Sequence, residues 1–153
     1  MTDSEYAAYA AQAVANYAAE KVASGQWTEE ESLALSKKSL DELLPLGLRT
    51  PDHHLFTIVD DRSAAVGMLW IAEQVRGGQR IAYVYDVGIE PGHRRRGHAA
   101  GAFIALERKV RELGLSGIAL HVFGHNVAAQ TLYAKLGYAP TNISMFKPLP
   151  RTE

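Results

Sequence analysis

Residues 90–101 read EPGHRRRGHAAG. Three consecutive arginines, Arg94, Arg95 and Arg96, lie between Gly92 and Gly97, with His93 and His98 on either side. The stretch follows Arg80–Ile89, which reads as a strand, and precedes Ala99, Phe103, Leu106 and Val110 at helical spacing. A strand, a tight loop and a helix start together make an anion site. The first N–H groups of a helix have no intrahelical acceptor, and the helix dipole favours a negative group there by roughly 0.3–1 kcal/mol. Gly97 and Ala99 leave room for close backbone approach. The spacing Gly92-x-x-x-x-Gly97 begins like a P-loop, but His98 and Ala99 stand where that loop needs Lys and Ser/Thr. The Gly-x-Gly-x-x-Gly dinucleotide fingerprint is missing too.

Working outward, residues 3–24 are alanine-rich with Tyr6, Tyr9, Ala13 and Tyr17 at helical spacing, and Gly25 ends the run. Thr28 caps a second helix that stops at Pro45-Leu46-Gly47. His54–Val59 reads as a strand, and Ala65–Val75 with Arg80–Ile89 as a hairpin around Gly77-Gly78. The arginine loop opens a helix over Arg94–Leu113, ended by Gly114. Ile118–Phe123 reads as a short strand, Asn126–Leu136 as a helix ended by Gly137, and Ser144–Lys147 as a last strand. The order ααβββαβαβ describes one mixed α/β domain over residues 1–153.

Composition fits that reading. Hydrophobic residues make up 47% and charged residues 22%, as in an ordinary globular chain. The net charge of −1 gives no overall attraction to nucleic acid or anionic membrane. The charge is uneven: residues 1–45 hold eight acids against three lysines, and residues 91–114 six basic residues against two acids. With no cysteine, disulfides, thiolate metal sites and a cysteine nucleophile are excluded. The start MTDSEYAAYAA has no signal-peptide pattern, and the longest apolar run, VGMLWIA, is far short of a membrane span. A cytoplasmic protein is expected. His53-His54 is a poor metal pair, since adjacent side chains diverge and no further ligand cluster appears; no metal is expected.

Two stretches together resemble the GNAT N-acetyltransferase superfamily. Ile89-x-Pro91 followed by Arg94-x-x-Gly97-x-Ala99 is similar to its coenzyme A signature. Residues 120–138, LHVFGHNVAAQTLYAKLGY, are similar to its second coenzyme motif, with Leu120-x-Val122, Asn126, Ala129, Leu132-Tyr133, Lys135 and Gly137-Tyr138. The resemblance covers residues 54–147. Gly25-x-Trp27 and Pro51-x-His53-His54-Leu55 are similar to one bacterial branch of the family. The resemblance implies a mixed central sheet with flanking helices. The family opens with a strand that this chain lacks or shortens, since it starts directly at the first helix.

The resemblance also implies a chemistry: transfer of an acetyl group from acetyl-CoA to a primary amine by direct attack on the thioester. Strands 80–89 and 118–123 would splay apart around the pantetheine arm. A bulge near Val87-Gly88 would free backbone N–H groups of Val87 and Ile89 for the acetyl carbonyl; Gly88 suits a bulge. Arg94, Arg95, Arg96, Gly97, His98 and Ala99 would cradle the pyrophosphate, and Asn126, Ala129 and Tyr133 would complete the coenzyme contacts. As a bare residue Tyr133 reads first as a packed core tyrosine, but it matches the general acid that protonates the departing thiolate, and that match favours the acid role. His121, which interrupts an apolar strand, is the leading base, with a hydrogen-bonded strand residue as the alternative. Asp86 is a reserve base.

Trp27, Trp70, Tyr83 and Tyr85 are expected to line the acceptor pocket, with His53 and His54 as further candidates. The acidic first third of the chain points to a cationic small molecule or a basic peptide end as acceptor. No nucleic-acid or membrane partner is expected, because Arg94–Arg96 lack an interleaved aromatic platform; the state is a monomer or homodimer. The competing reading is a non-catalytic module that holds an acyl-CoA as a sensor.

Overall fold

The computed structural model describes residues 1–23 and 25–150, so Ser24, at the expected end of the first helix, lies outside the described residues. The chain forms two compact units, Met1–His121 and a second beginning at Val122.

The first unit opens with α1 (Asp3–Ala23) and α2 (Glu29–Leu43). The Glu31 carboxylate accepts from the backbone N–H of Thr28 at 3.2 Å, closing the start of α2. Ser36 is buried in α2 and donates from its hydroxyl to the Val14 carbonyl at 2.8 Å, so the polar group joining the two helices is satisfied. A 3-10 turn, Gly47–Arg49, leads into β1 (His53–Val59), β2 (Ala65–Arg76) and β3 (Gln79–Ile89). Gly77 and Gly78 both have positive φ, as a two-residue hairpin turn requires. A second 3-10 turn (Pro91–His93), α3 (His98–Glu112) and β4 (Ile118–Leu120) complete the unit.

The sheet order is β1-β2-β3-β4, with the first two pairings antiparallel and β4 parallel to β3. Strand alternation divides the side chains between two faces. Leu55, Met68 and Trp70 pack with Leu44 and with Tyr6, Tyr9 and Leu40 of the N-terminal helices. The opposite face carries Leu69, Ile71, Ala82 and Val84, all buried; α3 contacts β3 and buries Phe103, Leu106 and Val110. The helix stripe read from the sequence is therefore the core stripe. In the second unit α4 (Val127–Lys135) is capped by Asn126, whose Oδ1 accepts from the Ala129 N–H at 3.1 Å.

Four local expectations are corrected. The arginines do not open the helix: Pro91 makes its own 3-10 turn, and Arg95 (φ 62°) and Gly97 (φ 85°) take left-handed conformations, so α3 starts at His98. The strand expected to run to Phe123 ends at Leu120, its pairing with β3 being only three residues long. The bulge lies at Tyr85 and not at Val87-Gly88, because Ile71 pairs with Val84 while Trp70 pairs with Asp86. Ser144–Lys147 forms no strand; Met145 and Phe146 are 90% and 89% exposed, and a lone short strand without a ladder is not stable.

Candidate active site

The bulge sets the direction of the backbone groups at the end of β3. The N–H of Ala82 points toward β4 and donates to the Gly117 carbonyl at 2.9 Å. The N–H of Glu90 points toward β2 and donates to the Val66 carbonyl at 2.9 Å. Both residues are even-numbered, yet their N–H groups point to opposite sides. A regular strand forbids this, and the extra residue at Tyr85 supplies the change of phase. Beyond the bulge, Val87 and Ile89 therefore aim their N–H groups to the β4 side. The ladder with β4 stops at Val84 and Leu120, so these two amides lie outside it. Gly67 explains how β2 stays close here: a Cβ on it would collide with the Gly88 carbonyl oxygen.

The loop continues that line. Arg94 folds back, its Nε donating to the Ile89 carbonyl at 3.0 Å, and ties the loop to the strand end. The first helical bond of α3 runs from the Gly101 N–H to the Gly97 carbonyl at 3.0 Å. The N–H groups of His98, Ala99 and Ala100 thus precede the helical ladder. A methyl on Gly97 would meet only open space, so its conformation and not crowding is what demands glycine. The rings of His93 and His98 lie 6.2 Å apart in this loop. One cavity of about 680 Å³ reaches Arg96, Gly97 and His98 and runs between β1 and α3, past Phe56 and Leu69 on the α3 face.

On the other face the bulge builds a wall. Tyr85 and Asp86 both stand opposite Trp70, so neighbours in sequence share one side. Tyr85 stacks on Trp70 with ring centroids 4.7 Å apart and 18° between planes. Tyr83 meets Tyr85 edge-on at 5.1 Å. The Trp70 indole N–H donates to His53 Nδ1 at 2.9 Å, which satisfies a side chain only 4% exposed. Burial pushes the His53 imidazole down. Asp86 accepts a 3.0 Å hydrogen bond from the Tyr9 hydroxyl. Desolvation raises the Asp86 carboxyl above the usual range, against the lowering effect of Tyr9 and the Val87 N–H. The same crowding, with the Asp86 charge beside it, raises the Tyr9 phenol.

The remaining candidates fall elsewhere. Trp27 packs edge-on against Tyr17 at 5.4 Å, with the Lys21 ammonium over both rings, away from the partners of Trp70. His54 bonds the Glu73 carboxylate at 3.0 Å on the α3 face. His121 is exposed, one residue past β4. In the second unit Ala129 and Tyr133 are half-buried on α4, and the Tyr133 ring lies 5.7 Å from that of Tyr138. Burial raises the Tyr133 phenol. Among the described residues no group of three or more His, Asp or Glu side chains is placed to hold a metal ion, and no helix is long and apolar enough to cross a membrane. Sequence reasoning missed Tyr9, Gln74 and Arg76. Tyr9 carried a signal, its place in the helical stripe of α1; the other two acquire meaning only when the hairpin closes.

Comparison with known proteins gives a consistent result. The profile of the acetyltransferase (GNAT) family matches residues 10–138. YycN of Bacillus subtilis (strain 168), named an N-acetyltransferase, is 38% identical over 149 residues, 97% of this chain and 96% of that protein. YdgE of the same organism, named likewise, is 37% identical over 97% of this chain and 95% of its own length. The crystal structure of YycN matches with a TM-score of 0.86 at 37% identity, over 99% of this chain and 96% of that one.

Proposed function

This chain belongs to the acetyltransferase (GNAT) family, and from that premise we propose that it transfers an acetyl group from acetyl-CoA to a primary amine by direct attack on the thioester. The observation that carries the proposal is two sets of N–H groups outside the ladders, separated by the bonded amides of Glu90, His93 and Arg94: Val87 and Ile89 beyond the β4 ladder, and His98, Ala99 and Ala100 at the start of α3. The first pair suits a carbonyl oxygen that becomes an oxyanion, and the second set suits a pyrophosphate.

In this reading the amine nitrogen attacks the acetyl carbon. The N–C bond forms, the Ile89 N–H stabilises the oxyanion together with the Val87 N–H that it shares with the Asp86 carboxylate, and the C–S bond breaks. Asp86 takes the proton lost by nitrogen. It shares a face with the aromatic wall, whereas His121 lies past the end of β4, so the structure favours Asp86 over the residue preferred from sequence. Tyr133 returns a proton to the thiolate, a role supported by its match to the family's second motif. The Asn126 oxygen is used by its cap, so its amide N–H groups are what it offers the pantetheine arm. The absence of cysteine suits direct transfer over a thiol intermediate. The working unit is a single domain, a monomer or homodimer in the cytoplasm, without metal, nucleic acid or membrane partner.

The test is release of coenzyme A thiol from acetyl-CoA across aminoglycosides, polyamines, amino acids and N-terminal peptides. The expected result is amine-dependent release matched one-to-one by acetylated amine, with kcat reduced by about 100-fold in Tyr133→Phe. Tight acetyl-CoA binding with no turnover on any amine would replace the enzyme by the sensor reading.

A further inference from the structure

The aromatic wall does not end at Tyr83. Gln74 and Arg76 follow Trp70 and Ala72 along the same face of β2. The Arg76 guanidinium lies over the Tyr83 ring, 4.6 Å from its centroid. Its Nε donates to Gln74 Oε1 at 3.3 Å, and the other end of that carboxamide donates to the Tyr85 hydroxyl at 3.3 Å. One amide thus positions an arginine and a phenol side by side. Nε is used inward, and the two terminal NH2 groups of Arg76 donate to no acceptor among the described residues. Because the Tyr85 oxygen accepts from Gln74, its own proton is directed elsewhere. Two donors, one of them charged, converge toward one end of a row of contacting groups: Trp70, Tyr85, Tyr83, Arg76. At the other end stands Asp86, held by Tyr9.

We propose that Arg76, positioned by Gln74 and Tyr83, selects an acceptor that carries an anionic group, a carboxylate above all, across a flat apolar spacer from the amine. The inference rests on the acetyl-transfer reading and names the substrate class of that site. The amine end meets Asp86, the spacer lies along Tyr85, and the anionic end receives the Arg76 fork and the Tyr85 O–H. The acidic N-terminal helices alone favour a polycation; Arg76 repels a second positive charge at the far end of the row. The class is therefore a zwitterionic primary amine whose carboxylate is held away from the amine by a flat apolar body, of which an aminomethylbenzoate is a simple form.

Three amines of one shape test this: 4-(aminomethyl)benzoate, benzylamine and 1,4-bis(aminomethyl)benzene. In kcat/KM the benzoate is expected to exceed the diamine by about tenfold or more, as one charged hydrogen bond gained against one repulsion implies. In Arg76→Glu that order is expected to reverse, and in Arg76→Gln the ratio falls toward one. Equal rates, or preference for the diamine by the unaltered protein, overturn the inference while leaving acetyl transfer intact. If none of the three is acetylated, acetyl transfer to this class fails, and the anion site is judged separately. Calorimetric titration with 4-(aminomethyl)benzoate then decides: binding weakened about tenfold in Arg76→Glu supports the site, and no difference removes it.

Discussion

The Tyr9 hydroxyl on the first helix donates a 3.0 Å hydrogen bond to Oδ2 of Asp86 on the third strand, across a separation of 77 residues. The bond lowers the Asp86 pKa against a larger desolvation effect that raises it. Tyr9→Phe removes the lowering effect alone, so the Asp86 pKa rises further. If Asp86 is the base, it works only when ionised, and the acid limb of the kcat/KM profile shifts to higher pH in Tyr9→Phe. The limb disappears in Asp86→Asn. A limb that survives Asp86→Asn and vanishes in His121→Gln assigns the base to His121.

Gly97 and Arg95 both have positive φ, but only Gly97 sits at the first turn of α3. A glutamate at Gly97 takes a left-handed conformation at a cost of roughly 1–2 kcal/mol and brings its carboxylate to the N–H groups proposed to hold the pyrophosphate. Gly97→Glu is expected to raise the KM for acetyl-CoA by about tenfold or more. Arg95→Ala removes one exposed charge and keeps the loop path, so its effect is smaller. Unchanged KM in both variants would remove the cradle assignment.

Gly67 has no room for a methyl, since the Gly88 carbonyl oxygen stands in its place. Gly67→Ala must push β2 from β3 just where Val87 and Ile89 turn outward. A loss of about 1–3 kcal/mol in stability is expected, as for other overpacked sites. Thermal unfolding together with steady-state kinetics checks this: kcat falls along with the melting temperature. Gly88→Ala, whose methyl would meet open space, is the matched control for stability.

Glu73 accepts from His54 at 3.0 Å and from Arg80 at 2.6 Å. These partners, His54 first, hold its carboxyl below the ordinary value of 4.5 despite desolvation. The unfolded chain binds that proton more readily, so the interaction stabilises the fold above the ordinary pKa and is lost as pH falls through the lower, folded value. Glu73→Gln is expected to cost about 1–2 kcal/mol in urea unfolding at pH 7, with the deficit shrinking as both proteins are acidified below that range. Arg80 is 59% exposed, so added salt weakens its share.

Most of the fold is legible in the sequence because its signals are local. Thr28, Gly77-Gly78, Gly114 and the Phe103, Leu106, Val110 stripe each announce an element by cap, turn or period. Boundaries set by pairing are not legible: nothing within residues 118–123 says that β3 accompanies them only to Leu120. Gly88 is the residue best suited to a bulge, but the bulge occurs at Tyr85, where the aromatic side chain gains a stack on Trp70. The amides of Val87 and Ile89 leave the ladder all the same, because a bulge two residues earlier changes their phase as well. The Tyr9–Asp86 bond and the Arg76–Gln74–Tyr85 clamp join distant or cross-strand residues, and single-chain periodicity carries no trace of them.

Tyr85 is supernumerary in its strand. Residues before it and after it keep their faces and their partners on β2 whether or not it is present, because Val84 and Asp86 already sit opposite adjacent residues, Ile71 and Trp70. The bulge is thus an insertion that adds one whole ring to the wall without re-registering the hairpin. Excision of Tyr85 would shorten the wall by one ring and leave the flanking pairs, Ile71 with Val84 and Trp70 with Asp86, in step.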